Sequence, residues 1–174
     1  NTGNPFDLAI NGDGYFRIAM PNGNDAYTRA GSFAVSPEGE IVTADGYTVA
    51  PGIVIPEGAR SVAINEQGQV QALLDGQTDP QTVGQLELST FNNDAGLEAI
   101  GNNLFLESAA SGAAATGTPS SPGYGYVMQG FVEASNVNAV TEITSLIQAQ
   151  RAYEMNARVI TASDEMMSAT SNLR

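Results

Sequence analysis

The chain has 174 residues, 42% of them apolar and only 14% charged, with a net charge of −13. His, Cys and Lys are all absent, which excludes imidazole acid–base catalysis, thiolate nucleophiles, zinc fingers, disulfide frameworks, Schiff-base chemistry and P-loop lysines. The negative charge opposes binding to nucleic acid or an anionic membrane, and no apolar run approaches the roughly 20 residues that span a bilayer.

The opening "NTGNPFDLAI" lacks a basic start followed by an apolar stretch and is not expected to be a secretory signal. Without an initial Met, the sequence reads as cut from a longer protein. From residue 7 to about 107, short apolar runs alternate with turn residues. Asn22-Gly23, between "YFRIAM" and "AYTRAGSF", predicts a hairpin, because Asn and Gly tolerate the positive φ of a tight reversal. Further turns are predicted at Pro37-Glu38-Gly39, Asp45-Gly46, Glu66-Gln67-Gly68 and Asp75-Gly76. Their spacing, about 8 to 12 residues, indicates an irregular β-sandwich or barrel-like body of short hairpin strands. The stretches "AVSPEGEIV" (34–42) and "AINEQGQVQ" (63–71) echo one another, which reads as recurring hairpin chemistry or as a true repeat.

"VGQLELSTF" (83–91) alternates and predicts one half-buried strand; 92–103 predicts a loop or short turn, and "LFLE" (104–107) a return to the sheet. Residues 108–125, "SAASGAAATGTPSSPGYG", are small and uncharged and predict a flexible loop. The predicted division is a β-rich domain over 1–130 and a long C-terminal helix over 131–174, in all a mainly β (α+β) chain.

From Phe131 to Arg174 there is neither Gly nor Pro. Asn136 and Asn138 are N-cap candidates. Alternate steps of four and three from Ala139 reach Ile143, Leu146, Gln150, Tyr153, Ala157, Ile160, Asp164 and Met167, a coiled-coil-like seam with two polar interruptions. Ile147, Met155, Val159 and Met166 lie off it, so the apolar surface is wider than a two-stranded coil requires. Glu154 and Arg158 stand in the favourable i, i+4 order. A helix of about 35 residues would be about 50 Å long, expected either to project onto another chain or missing segment, or to fold back across the β-body as a core helix. Charge divides the same way: residues 1–134 carry fifteen acids and three Arg, residues 135–174 four acids and three Arg.

Two other function classes bear on the same residues. Asp13, Glu38, Glu40, Asp45 and Asp75 could in principle supply the carboxylate pair of a glycan hydrolase, but each sits where turns ordinarily carry acids. "NGDG" (11–14) lacks the rest of an EF-hand loop and the third glycine of a dinucleotide fingerprint. Tyr15, Tyr27 and Tyr47 could line the surface of a stand-alone β binding domain, or pack across strands. No metal, cofactor, nucleic acid or small-molecule substrate is expected.

"YVMQGFVEASNVNAVTEITSLIQAQRAYEMNARVITASDEMM" (126–167) closely resembles the C-terminal signature of bacterial flagellar rod and hook proteins. "FDLAINGDGYFRI", "YTRAGSFAVSPEGEIVTADGYTV" and "GLEAIGNNLFLESAASG" are also similar to that family, the last to its distal-rod branch. The resemblance implies a structural, non-enzymatic subunit, exported by the flagellar type III apparatus and stacked helically into a hollow torque-transmitting shaft across the periplasm. Its implied partners are further copies of itself, other rod and hook proteins and the surrounding ring proteins. It implies an inner tube of paired N- and C-terminal helices beneath an outer β-layer; the family's N-terminal signature segment is not among these residues. It places Ser135, Asn136, Val137 and Asn138 at the opening of the helix, and Gln150, Arg151, Tyr153 and Asn156 in the packed inner layer. A proximal rod or hook subunit is the alternative within the family. The nearly neutral helix stripe is then the assembly surface, with Ile143, Leu146, Gln150, Tyr153, Ala157, Ile160 and Met167 as its contacts.

Overall fold

In chain order the strands are β1 (Leu8–Asn11), β2 (Tyr15–Ala19), β3 (Asp25–Thr28), β4 (Phe33–Val35), β5 (Ile41–Thr43), β6 (Thr48–Val49), β7 (Ala59–Ile64), β8 (Gln69–Leu74), β9 (Gln81–Gln85), β10 (Leu88–Thr90), β11 (Glu98–Gly101), β12 (Leu104–Leu106), β13 (Ala115–Gly117) and β14 (Tyr126–Gln129), followed by the helix α1 (Ala139–Ser171). The computed structural model describes residues 1–134 and 139–171, so the expected helix opening at Ser135, Asn136, Val137 and Asn138 lies outside the described residues. Two units are present, Asn1–Glu133 and Ala134–Arg174. The chain is mostly antiparallel β with one C-terminal helix, as its turn spacing and its Gly- and Pro-free end predict.

Four strand reversals share one construction. At Asn22-Gly23 the Met20 N–H donates to Asn24 O (3.0 Å) and the Gly23 N–H to Met20 O (3.0 Å). The same pair of bonds closes Ser36–Glu40, Thr43–Tyr47 and Asn65–Gln69, each with glycine in the last loop position. That glycine is required: its φ is 82° at Gly23 and 88° at Gly39, the left-handed residue of a three-residue hairpin loop. The echo between 34–42 and 63–71 is therefore shared hairpin chemistry.

The strands form three antiparallel sheets. The largest runs β11-β12-β3-β2-β6-β5-β4, with β10 also on β2 and β13 on β10; β7-β8-β9 and β1-β14 make the others. Alternation places Leu8 and Ile10 of β1 and Phe16 and Ile18 of β2 inside. They meet Phe33, Ile41, Val49, Ile53, Val70, Leu86, Leu88, Leu104 and Val127 in one core shared by all three sheets. Phe16 and Phe33 pack edge to face at 5.1 Å. Gln129 stitches two sheets together: its amide donates to Val62 O (3.0 Å) and Pro5 O (2.9 Å), and its Oε1 accepts from the Ile64 N–H (3.1 Å).

Three segments differ from expectation. Residues 83–91 form not one strand but the end of β9 and then β10, in different sheets. Leu86, fully buried between them, donates its N–H to Gly68 O (2.7 Å), and Gly84 lies where a Cβ would strike Ile53, so packing breaks the run where Val83 falls out of phase with Leu86 and Leu88. Residues 92–103 contain the predicted turn, a 3-10 turn at Asp94–Gly96, and also β11. Residues 108–125 hold β13 and a polar knot: the Ser108 hydroxyl donates to Gly96 O (2.6 Å) and the Ser108 N–H to buried Ser111 Oγ (2.9 Å). Small side chains are paired there through hydrogen bonds, which composition does not reveal.

Candidate assembly interface

Helix α1 is 33 residues long, and every side chain described on it is exposed. The seven seam positions all belong to it. Leu146 is 69% and Tyr153 76% exposed, and Ile143, Gln150, Ala157, Ile160 and Met167 are exposed as well. At about 100° per residue, Ile143, Gln150 and Ala157 drift together with Leu146, Tyr153, Ile160 and Met167 around one side of the helix. Met155, Val159 and Met166 fall about 120 to 160° from Ile143 and form a second apolar stripe, with Met155 66% exposed. Arg151, Glu154, Arg158 and Glu165 share a single sector of about 60°. Outside that sector only Glu142 and Asp164 carry charge.

A helix so sparsely charged around most of its circumference suits burial among neighbours on more than one side. Its polar side chains fit that use: the hydroxyls of Thr144, Ser145 and Thr161 donate to the carbonyls of Val140 (2.8 Å), Thr141 (3.0 Å) and Ala157 (3.0 Å), four residues back. Each donor is thus satisfied within the helix before any neighbour arrives. Glu154 and Arg158, correctly spaced, make no ion pair; the three ion pairs among the described residues all lie in the β-body.

Those three pairs organise the body. Arg29 donates from Nε to Glu133 (2.9 Å), from Nη1 to Gly12 O (3.1 Å) and Gly14 O (3.0 Å), and from Nη2 to Ile10 O (3.2 Å). Its guanidinium also stands 5.9 Å from the centre of the Tyr15 ring. One side chain therefore holds the β1–β2 turn to residue 133. Arg17 bridges Asp25 (3.2 Å) and Glu87 (3.0 Å). Burial works against its charge, but the hydrogen bonds and charges of Asp25 and Glu87 prevail and hold its pKa above the ordinary value.

The carboxylates considered for hydrolysis are spread over different loops and strand ends. Glu40 accepts from the Thr48 hydroxyl (3.1 Å) and Asp45 from the Asn102 amide (3.3 Å), while Asp13, Glu38 and Asp75 occupy the turns between strands. No cluster of three or more metal-ligating side chains occurs among the described residues. The tyrosines pack across strands: Tyr27 meets Phe91 edge to face at 4.8 Å, and Tyr15 meets Phe91 (5.8 Å) and Phe105 (6.1 Å). Burial, then Asp94, raises the Tyr15 pKa; burial, then Glu107, raises that of Tyr27. Tyr47 is half-buried against the core.

Residues 9–72, covering β1 to the middle of β8, match the family described as the flagellar hook protein FlgE/F/G D1 domain. Residues 128–173, covering the end of β14 and the helix, match the flagellar basal body rod FlgEFG protein C-terminal family. The chain belongs to the flagellar basal-body rod protein family. It is 58% identical to the flagellar basal-body rod protein FlgG of Caulobacter vibrioides, over 99% of this chain and 66% of that protein. Against FlgG of Agrobacterium fabrum the identity is 50%, over 98% of this chain and 65% of that protein. Against the rod protein FlgF of Caulobacter vibrioides it falls to 37%, over 95% and 64%. The chain spans about two thirds of the length of the curated relatives it matches.

Within this rod-family chain, reasoning from sequence missed the residues that hold the body together. Arg29 and Glu133 are 104 positions apart and Gln129 and Pro5 are 124 apart, with no local pattern to pair them.

Proposed function

We propose that this chain is a structural subunit of the flagellar basal-body rod, in its distal part, polymerising helically into a hollow shaft that transmits torque. The observation that carries the reading is the helix of a rod-family chain with two exposed apolar stripes and four of its six charged residues gathered in one sector. Such a surface gains by burial of apolar area when copies pack side by side. The seam residues Ile143, Leu146, Gln150, Tyr153, Ala157, Ile160 and Met167 make those contacts, with Ser135 to Asn138 leading into the helix. Greater identity to FlgG than to FlgF in the same organism supports the distal position over the proximal one.

The partners are further copies, other rod and hook proteins and the rings around the shaft, reached after export by the flagellar type III apparatus. The acidic β-body, with fifteen acids against three Arg before residue 135, forms the solvated outer layer and limits premature association by mutual repulsion. The role has no catalytic step.

The test is Leu146→Asp in the full chain, which sets a carboxylate in the seam at a cost of several kcal/mol once buried. Sedimentation over a concentration series should show self-association lost while the thermal unfolding of the β-body is unchanged. In the flagellated host the variant should not support motility. Normal motility with normal association would remove the seam from the assembly.

A further inference from the structure

A groove of about 340 Å³ opens between the β4 and β7 edges of the body, walled by Phe6, Val35, Ile55, Pro56, Arg60 and Val62. Both strands leave backbone groups facing into it. Phe33 of β4 donates its N–H to Phe6 O on the side away from β5, and Val35, two residues on, points the same way. On β7, Gln129 takes Val62 O and the Ile64 N–H on the side away from β8, so the Val62 N–H faces outward too. Among the described residues no hydrogen bond is made by the Val35 or the Val62 N–H.

The groove also holds a free cation. Of the body's three arginines, Arg17 and Arg29 are ion-paired, and Arg60 makes no ion pair among the described residues. Glu57 on the same wall limits the groove's net charge, so its occupant needs one well-placed acid beside an apolar anchor rather than a run of acids.

At the opposite end of the same sheet stands a segment with those properties. β11 is an edge strand paired only with β12, and all four of its residues are exposed. Ile100 is the extra residue of a bulge, 43% exposed, as bulges re-aim side chains out of a ladder. Glu98 lies two residues before it. Among the described free edge strands, β9 and β13 expose no large apolar side chain.

We infer that the β11–β12 hairpin of one copy seats in the β4–β7 groove of the next, with Ile100 against Phe6, Val35 and Pro56, and Glu98 on Arg60. A strand suits the site better than a helix, because its one free edge carries carbonyls for the N–H of one wall, at Val35 or at Val62, and a helix has spent its own. The contact joins two different surfaces, at opposite ends of one sheet, and heterologous contacts of this kind propagate as open filaments rather than closed dimers. The inference rests on the polymer reading above and gives it a second contact, in the outer layer.

The chain has no cysteine, so introduced thiols report single positions. Ser61→Cys in the groove and Ala99→Cys on β11, made in separate full-length chains and mixed under mild oxidation, should give mixed dimers about tenfold in excess of either like dimer, the equivalent of about 1.4 kcal/mol. Both substitutions in one chain should give a ladder of oligomers. Arg60→Glu in the Ser61→Cys chain should abolish the excess, and Glu98→Arg in its partner should restore it. Like and mixed dimers in random proportion, no cross-link at all, or no effect of the charge reversal would each overturn the assignment.

Repeating the mixture in the Leu146→Asp background separates the two contacts. A missing cross-link with helix-dependent association intact in the parent chain removes the groove and leaves the rod reading. A cross-link that forms while Leu146→Asp leaves parent association untouched removes the seam and leaves the groove.

Discussion

Arg29 donates its Nε–H to Glu133 at 2.9 Å, and its other nitrogens take three carbonyls of residues 10 to 14. The planar guanidinium can serve all four acceptors at once because its donors are fixed in a fork. Arg29→Ala is expected to destabilise the body by about 2 kcal/mol, within the range for hydrogen bonds from a charged donor. Arg29→Lys should recover less than half, since an ammonium is a point donor. Urea unfolding midpoints of the two variants check the order; equal stability of the wild type and Arg29→Ala would show the tie to be ornamental.

The parts of this fold that were legible in the sequence are those whose causes are local. Each three-residue hairpin loop needs glycine at its last position, so Gly23, Gly39, Gly46 and Gly68 announced four reversals. The helix was legible because nothing after Phe131 breaks it. β11 also had a local sign that went unread: Asn102 and Asn103, at φ of 51° and 58°, form a two-residue turn that requires left-handed backbone at both positions. The division of 83–91 between sheets had one too: Val83 stands three positions before Leu86, out of phase with the two-residue alternation of Leu86 and Leu88, while which layer covers each depends on the whole fold. Of the proposed interface, the seam could be counted off in steps of four and three, while the groove depends on β4 and β7 meeting across the fold.

Gln129 supplies a substitute strand edge for β7. Removing its amide in Gln129→Ala leaves the Ile64 N–H and Val62 O without that partner, and an unpaired buried group costs about 1 to 3 kcal/mol. Gln129→Glu should be nearly as harmful, because a carboxylate cannot donate to Val62 O or Pro5 O. Hydrogen exchange should show faster loss of protection at Ile64 in both variants. Protection equal to the wild type would mean that water replaces the amide without penalty.

Gly31 packs where a methyl group would overlap the carbonyl oxygen of Leu8, while the Leu8 N–H takes Gly31 O at 2.8 Å. The obstruction is backbone, so no rotamer change relieves it. Gly31→Ala should therefore cost about 3 kcal/mol or more and release β1 from the core, seen as a lowered thermal midpoint and loss of the body's near-ultraviolet dichroism.

Tyr15 and Tyr27 both hold their phenols above the ordinary pKa, chiefly through burial and then through Asp94 and Glu107 respectively. A phenol that ionises less readily folded than unfolded contributes stability that is fully present below the ordinary tyrosine value of about 10 and is lost as pH rises through the folded value. Thermal midpoints should thus be flat near neutrality and fall above about pH 10. Tyr15→Phe with Tyr27→Phe should reduce that alkaline fall; an unchanged slope would place its origin in other groups.

The second helix stripe makes the most discriminating demand on the assembly reading. A two-stranded coil buries one seam, so a charge at Met155 would remain in water and do little. A helix packed between neighbours on two sides buries both stripes, and Met155→Asp should then abolish self-association as completely as Leu146→Asp. Arg158→Gln, in the charged sector and exposed, is the control and should leave association within about twofold, as expected for an exposed charge worth under 0.5 kcal/mol. Sedimentation of the three full-length variants at matched concentration decides between the geometries. Loss at Leu146 alone means one helix partner; loss at Leu146 and Met155 together means a layer of helices closed on itself, which is what a hollow shaft requires.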